Sequence, residues 1–206
     1  MKQMAQQSPK NDPAEYDAIF FKRKEKGPDP FDLKRWHKLL KYYRGGKLLD
    51  AGCLDSLVPN IAKKLYPKAE VWGIDLAEEA INEMQYAYPD ILYRVEDVYH
   101  TKFPSNYFDY IVAGELIEHL EHPRGFFKEV FRILKHGGTF ALSTPQDEAR
   151  EPGAVDAERH LWSYSTDDIR SLLSPYGSTK IITLGSQFFP SYIYHWPIIL
   201  AYCRKL

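Results

Sequence analysis

Five short apolar runs lie between Lys47 and Ser143, alternating with apolar stripes at helical spacing, and that alternation leaves few folds open. Lys47 to Ala51 reads as a buried strand, and Glu70 to Ile74 as the next, ending at Asp75. Ile91 to Val95 ends near Asp97, and Phe108 to Ala113 and Thr139 to Ser143 complete the series. Between them, Leu33, Trp36, Leu40 and Tyr43 predict a helix over Phe31 to Tyr43, stopped by Gly45-Gly46. Ile61, Ala62 and Leu65 predict a second, with Pro59 tolerable in its first turn, and Ala77, Ala80, Ile81 and Met84 a third. Phe127, Val130, Phe131 and Leu134 predict a fourth, closed by Gly137-Gly138 in the C-cap position. Ser165 and Asp168 form a capping box ahead of Ile169, Leu172 and Leu173, and Lys180 to Leu184 and Ile198 to Tyr202 read as final strands. The pattern predicts one α/β domain with a doubly wound sheet over residues 30–206, after an N-terminal extension (1–29) that is partly disordered or helical.

Composition removes several classes of function. A net charge of -1 gives no general attraction to nucleic acid or to an anionic membrane. The basic run Lys22 to Lys26 reads as a solvated helix face. Two cysteines, Cys53 and Cys203, make no disulfide framework and read as reduced thiols, so the expected compartment is cytoplasmic. The start, Met1 to Asn11, carries no apolar signal region and is expected to fray. Phe188 to Tyr202 is apolar, but Pro190, His195 and Pro197 interrupt it, and it falls short of the ~20 residues that span a bilayer. It reads as a buried hairpin.

In an open α/β sheet, ligands bind outside the carboxyl ends of the strands. Gly52 follows the first strand, where the missing Cβ lets the backbone turn and approach a ligand. Asp75 follows the second, where a carboxylate accepts from ribose hydroxyls, and Asp97 follows the third, where it accepts from an exocyclic adenine amine. Acids in register at successive strand ends point to a nucleoside-type cofactor. A pyrophosphate wants a glycine-rich loop and free helix amides, whereas Leu54, Asp55 and Ser56 bring side chains and a negative charge. S-adenosylmethionine, which carries no phosphate, fits better.

The segments LLDAGC, VWGIDL, YRVEDV, FPSNYFDYIVAGELIEHLEHP and FKEVFRILKHGGTFALSTP, in that order and spacing, resemble the class I S-adenosylmethionine-dependent methyltransferases over roughly residues 30–206. Within that class the chain is similar to the ubiquinone-biosynthesis O-methyltransferase, or methyltransferase type 11, group. The resemblance implies a Rossmann-like seven-stranded sheet whose last strand, Ile198 to Tyr202, is antiparallel. It implies Gly52 by the methionine end, Asp75 at the ribose and Asp97 at the adenine amine, with Asp50, Leu54, Leu76 and Val98 beside them. The departure is the first turn, which usually reads Gly-Cys-Gly-x-Gly. Leu54 and Ser56 replace its second and third glycines. A left-handed Leu54 costs about 1–2 kcal/mol, and Ser56 is able to cap the following helix.

Methyl transfer from a sulfonium is a direct displacement, and an oxygen acceptor also has to lose a proton. If Gly114 to His119 is helical, Glu115, Glu118 and His119 share one face. Two carboxylates and an imidazole suit Mg²⁺, Mn²⁺ or Zn²⁺. The Glu-x-x-Glu-His pattern resembles two metal-using groups, the ubiquinone-biosynthesis O-methyltransferases and the small-RNA 3′-terminal 2′-O-methyltransferases. In the RNA group a downstream histidine completes the site, and His160 stands at the corresponding place. A metal-free role for His119, as base or in substrate orientation, with Glu118 and His160 as its catalytic companions, is the preferred reading; the metal comes second and plain packing last.

Acceptor binding is expected from Pro145 to Tyr164 and from Gln187 to Trp196, where Phe188, Phe189, Tyr192, Tyr194 and Trp196 line a pocket or pack a loop. Asp147, Glu148, Glu151, Asp156 and Glu158 disfavour a phosphate-rich partner. The leading reading is therefore a small-molecule methyltransferase acting on oxygen. A macromolecule methyltransferase and a non-catalytic binding protein are the alternatives, and the oligomeric state is open.

Overall fold

The computed structural model describes residues 2–3, 13–24, 27–28, 30–146, 160–185 and 197–206. In chain order the elements are β1 (Lys2–Gln3), α1 (Pro13–Lys24), α2 (Pro30–Leu39), β2 (Lys47–Ala51), α3 (Val58–Leu65), β3 (Glu70–Asp75), α4 (Glu78–Ala87) and β4 (Leu92–Val95). Then come β5 (Phe108–Gly114), a 3-10 turn (Ile117–His119), α5 (Pro123–Ile133), β6 (Leu134–Pro145), β7 (Trp162–Ser163), α6 (Thr166–Leu173), β8 (Gly177–Leu184) and β9 (Ile198–Lys205).

Among the described residues the main sheet has seven strands in the order β4-β3-β2-β5-β6-β9-β8. The order reverses at β2, whose neighbours β3 and β5 are both parallel to it. β9 runs antiparallel to both β6 and β8, the reversal expected for the last strand. Strand period 2 splits the core in two. Leu49, Ile111 and Phe140 point to the face covered by α5 and α6, whereas Leu48, Tyr110 and Ala141 point to the face covered by α2 and α3. The parallel strands β3, β2 and β5 consequently end together at one edge, which is where a doubly wound sheet holds its ligand.

Several boundaries move. α2 stops at Leu39 and a turn carries the chain to Tyr43, whose hydroxyl donates to the Gly46 carbonyl at 3.1 Å. β4 begins at Leu92 rather than Ile91. Gly137-Gly138 do not cap α5, which ends at Ile133. Leu134 is extended and already pairs with Phe108, because its buried side chain is worth more in the core than one further helical turn. Gly137, at φ +73°, instead serves the irregular start of β6.

Cys53 and Cys203 are free and buried. No helix among the described residues is long and apolar enough to cross a membrane. Of the expected hairpin at Phe188 to Tyr202, β9 is present and pairs with β8, and residues 186–196 lie outside the described residues. Most of Met1 to Asn11 and the side chains of Lys22 to Lys26 do so as well.

The capping box of α6 is complete: Ser165 Oγ accepts from the Asp168 N–H at 3.2 Å, and the Asp168 carboxylate accepts from the Ser165 N–H at 3.0 Å. Ser165→Ala is expected to cost about 1 kcal/mol and lower the melting temperature by about 2–4 °C, read by differential scanning calorimetry.

Candidate active site

The turn after β2 is built on two backbone conformations. Gly52 sits at φ +71°, and a Cβ there would lie 2.7 Å from the Leu116 side chain, which fills the space left by the missing methyl. Leu54 adopts φ +36°, the left-handed arrangement that the lost glycine forces on it. Its N–H donates to Asp75 Oδ2 at 2.9 Å, a bond to a carboxylate worth about 1.5–3 kcal/mol, which offsets the strain. Ser56 Oγ accepts from the Val58 N–H at 3.1 Å, supplying one bond to the start of α3.

Asp75 also accepts from the Ala77 N–H at 3.0 Å and is only 8% exposed. Burial raises its carboxyl above the usual range, and the backbone bonds from Ala77, Leu54 and Leu76 oppose that rise. Leu76 is half-buried beside it. After β4, Asp97 stays half-exposed and accepts from the Tyr99 N–H at 2.8 Å, with Val98 buried next to it. The neighbouring acid, Glu96, turns inward and accepts from the Lys102 N–H at 2.8 Å.

Asp50 has the parity of Leu48 and so faces α2. It is 2% exposed, and its Oδ2 finds no hydrogen-bond partner among the described residues. Burial pushes its carboxyl up to about 7, with Ser56 and Arg35 pulling down and Asp75 pushing up. Sequence reasoning missed Arg35. It lies on α2, 3% exposed, with its guanidinium 2.6 Å from Asp32 and 3.2 Å from Glu115. A signal was present, since Asp32 and Arg35 are one helical turn apart beside the apolar Trp36.

Glu115 does not share a helical face with Glu118 and His119. It stands at φ +52° just after β5, its N–H bonded to the Ser143 carbonyl at 3.0 Å and its carboxylate drawn to Arg35. The arginine competes for that carboxylate, so Glu115 leaves the predicted metal set. Glu118, His119 and His160 do converge, with ligand atoms within 4.8 Å of one another. The two imidazoles meet edge to face at 4.6 Å, and Glu118, 1% exposed, accepts from the Thr144 hydroxyl at 3.0 Å. His160 is brought there by its neighbours, as the Leu161 N–H donates to the Glu118 carbonyl at 2.7 Å and the Trp162 indole to the Leu120 carbonyl at 2.7 Å. The aromatic residues expected at Phe188, Phe189, Tyr192, Tyr194 and Trp196 lie outside the described residues, as do the acids Asp147, Glu148, Glu151, Asp156 and Glu158.

Three strand-end acids, a Gly52 turn and one buried arginine form a donor set suited to a cation that also bears a carboxylate. Asp50 and Asp75 complement positive charge, and Arg35 complements a carboxylate. At the start of α4 the Ala77 N–H donates to Asp75 and the Glu79 N–H to Asp17 of α1 at 3.1 Å, so two of its amides are taken by carboxylates, which disfavour a phosphate there. S-adenosylmethionine fits this set. The sheet order is that of a doubly wound, Rossmann-like fold.

Residues 49–142 match the family model described as methyltransferase domain. It is 28% identical to the mitochondrial ubiquinone biosynthesis O-methyltransferase of Rattus norvegicus, over 74% of this chain and 50% of that protein. The chain spans about half the length of the curated relatives it matches, 58% and 50% for two of them. Its fold matches an S-adenosylmethionine-dependent methyltransferase from Aquifex aeolicus with a TM-score of 0.65 at 19% identity, covering 95% of this chain and 99% of that one. The geranyl diphosphate C-methyltransferase of Streptomyces coelicolor A3(2) matches with a TM-score of 0.71 at 14% identity, covering 84% and 77%.

The raised Asp50 carboxyl has a thermodynamic consequence. A folded-state value near 7 against an ordinary 3.8 means that the native state holds an extra proton between about pH 4 and 7, so this group's contribution to stability falls as pH rises through that window. Asp50→Asn, which stays neutral, is expected to be more heat-stable than wild type at pH 8 without cofactor. The advantage should shrink toward zero near pH 4, as followed by calorimetry across that range. A pH-independent difference would trace to packing instead.

Proposed function

We propose that the protein transfers a methyl group from S-adenosylmethionine to a small-molecule acceptor, at an oxygen atom. The observation that carries this is the convergence, at one sheet edge, of a cation-and-carboxylate site with a separate carboxylate-imidazole group. The Gly52 turn, Asp50 and Arg35 receive the amino-acid end, Asp75 with Leu76 the ribose, and Asp97 with Val98 the adenine. The bound cofactor supplies an electrophilic methyl on a positively charged sulfur.

On the acceptor side, His119 and His160 are the groups able to take the hydroxyl proton, and buried Glu118 orients them through its shared neighbourhood. The same three ligand atoms are spaced to hold one divalent ion, which would lower the pKa of an acceptor hydroxyl. Relatives named as oxygen and as carbon methyltransferases share the fold, so the oxygen acceptor rests on the paired imidazoles.

Calorimetry tests the cofactor. Micromolar binding of S-adenosylmethionine is expected, weakened at least about tenfold by Asp75→Ala or Arg35→Ala, each of which removes a charge-assisted bond. Cation binding should also release part of a proton at pH 7, seen as a buffer-dependent heat that Asp50→Asn abolishes. No binding at millimolar cofactor would leave a non-catalytic protein on this fold. Metal analysis separates the acceptor chemistries: a stoichiometric ion lost in His160→Ala supports the ion, and activity indifferent to chelators supports the imidazole base.

A further inference from the structure

Leu54 connects the cofactor turn to a part of the chain outside the Rossmann-like core. Its left-handed backbone sends the N–H into Asp75, while its side chain packs against the apolar cluster that Phe20 of α1 forms with Ala77 and Ala80. Phe20 is buried against Ala77 and Ala80 at the start of α4. Asp17, one turn before Phe20, accepts from the Glu79 N–H at 3.1 Å and acts at the α4 N-terminus in place of the absent cap, since Ala77 has no side chain to offer.

α1 therefore lies across the beginning of α4 and the tip of the Leu54 turn, with Asp75 beneath. Both Asp75 oxygens already accept backbone N–H bonds. Asp17 is close enough to add its negative charge to the rise in the Asp75 carboxyl. Asp75 itself is only 8% exposed. Among the described side chains of α1, Pro13, Ala14, Ala18 and Phe21 are exposed, and Phe20 is the buried one. A small apolar contact of this kind opens locally, without global unfolding.

We propose that α1 is a lid over the ribose subsite and that Leu54, standing where related turns carry glycine, is its latch. The leucine that strains the turn is also the contact through which the turn holds the lid, so cofactor entry and release are coupled to α1 lifting. The lid half of this proposal rests on the cofactor reading above, and the latch half does not.

Hydrogen–deuterium exchange and the release rate of S-adenosylhomocysteine test the two halves. In Leu54→Gly and in Phe20→Ala, exchange across residues 13–24 should rise about tenfold or more, the effect of losing one buried apolar contact, with β5 exchange unchanged. Leu54→Met should restore protection. Product release, followed by stopped-flow displacement, should accelerate about tenfold in the same loosened variants. Unchanged α1 exchange in Leu54→Gly overturns the latch. Faster exchange with an unaltered release rate overturns the lid. If wild type binds no S-adenosylhomocysteine, the cofactor reading fails and the lid with it, while the exchange data still decide the latch.

Discussion

Asp50 lies opposite Gly73 on one side and Val112 on the other, and that parallel register of β2 between β3 and β5 sets the heights of the loops above it. Parallel strands in register end at one level. The turn at Gly52, the carboxylate of Asp75 and the segment after Gly114 are thereby delivered to the same edge from a stretch of more than 60 positions. A one-residue slip of β2 would turn Asp50 to the other face and away from α2. Every charge relation in the site depends on that pairing.

The charges then settle among themselves in two groups. Asp32, Asp50 and Glu115 surround one buried guanidinium, an excess of negative charge that a cationic ligand relieves. Glu118, His119 and His160 form the second group, deeper against β6 and held by bonds from Thr144 and Leu161. The strained positions Leu54 and Glu115 mark the border of the first group, and each is held in place by an interaction with a charged side chain. Strain persisting under such constraint is characteristic of functional sites.

Much of the fold was legible because period and punctuation agreed. The strand Lys47 to Ala51, the capping box at Ser165 and the antiparallel β9 all follow from local pattern. The end of α5 was not, since the choice between one more turn and strand pairing for Leu134 rests on its partner Phe108, twenty-six positions upstream. In the site, the acids after β3 and β4 were visible as strand-end punctuation. Glu115 was misjudged because helical spacing assumes a helix, and the backbone there instead bends toward Arg35.

The sequence by itself determined the alternation of strands and helices and the placement of glycine and acids at one edge of the sheet. Those follow from side-chain periodicity and residue order, which are local properties of the chain. Only the tertiary structure decided which carboxylate joins which cation. Arg35 claims Glu115, His160 crosses to Glu118 and His119, and Phe20 of α1 joins Ala77 and Ala80 in the cluster against which Leu54 packs. Each of those partnerships is made in three dimensions between residues distant in sequence, where burial and competing charge select one contact among several that spacing alone allows.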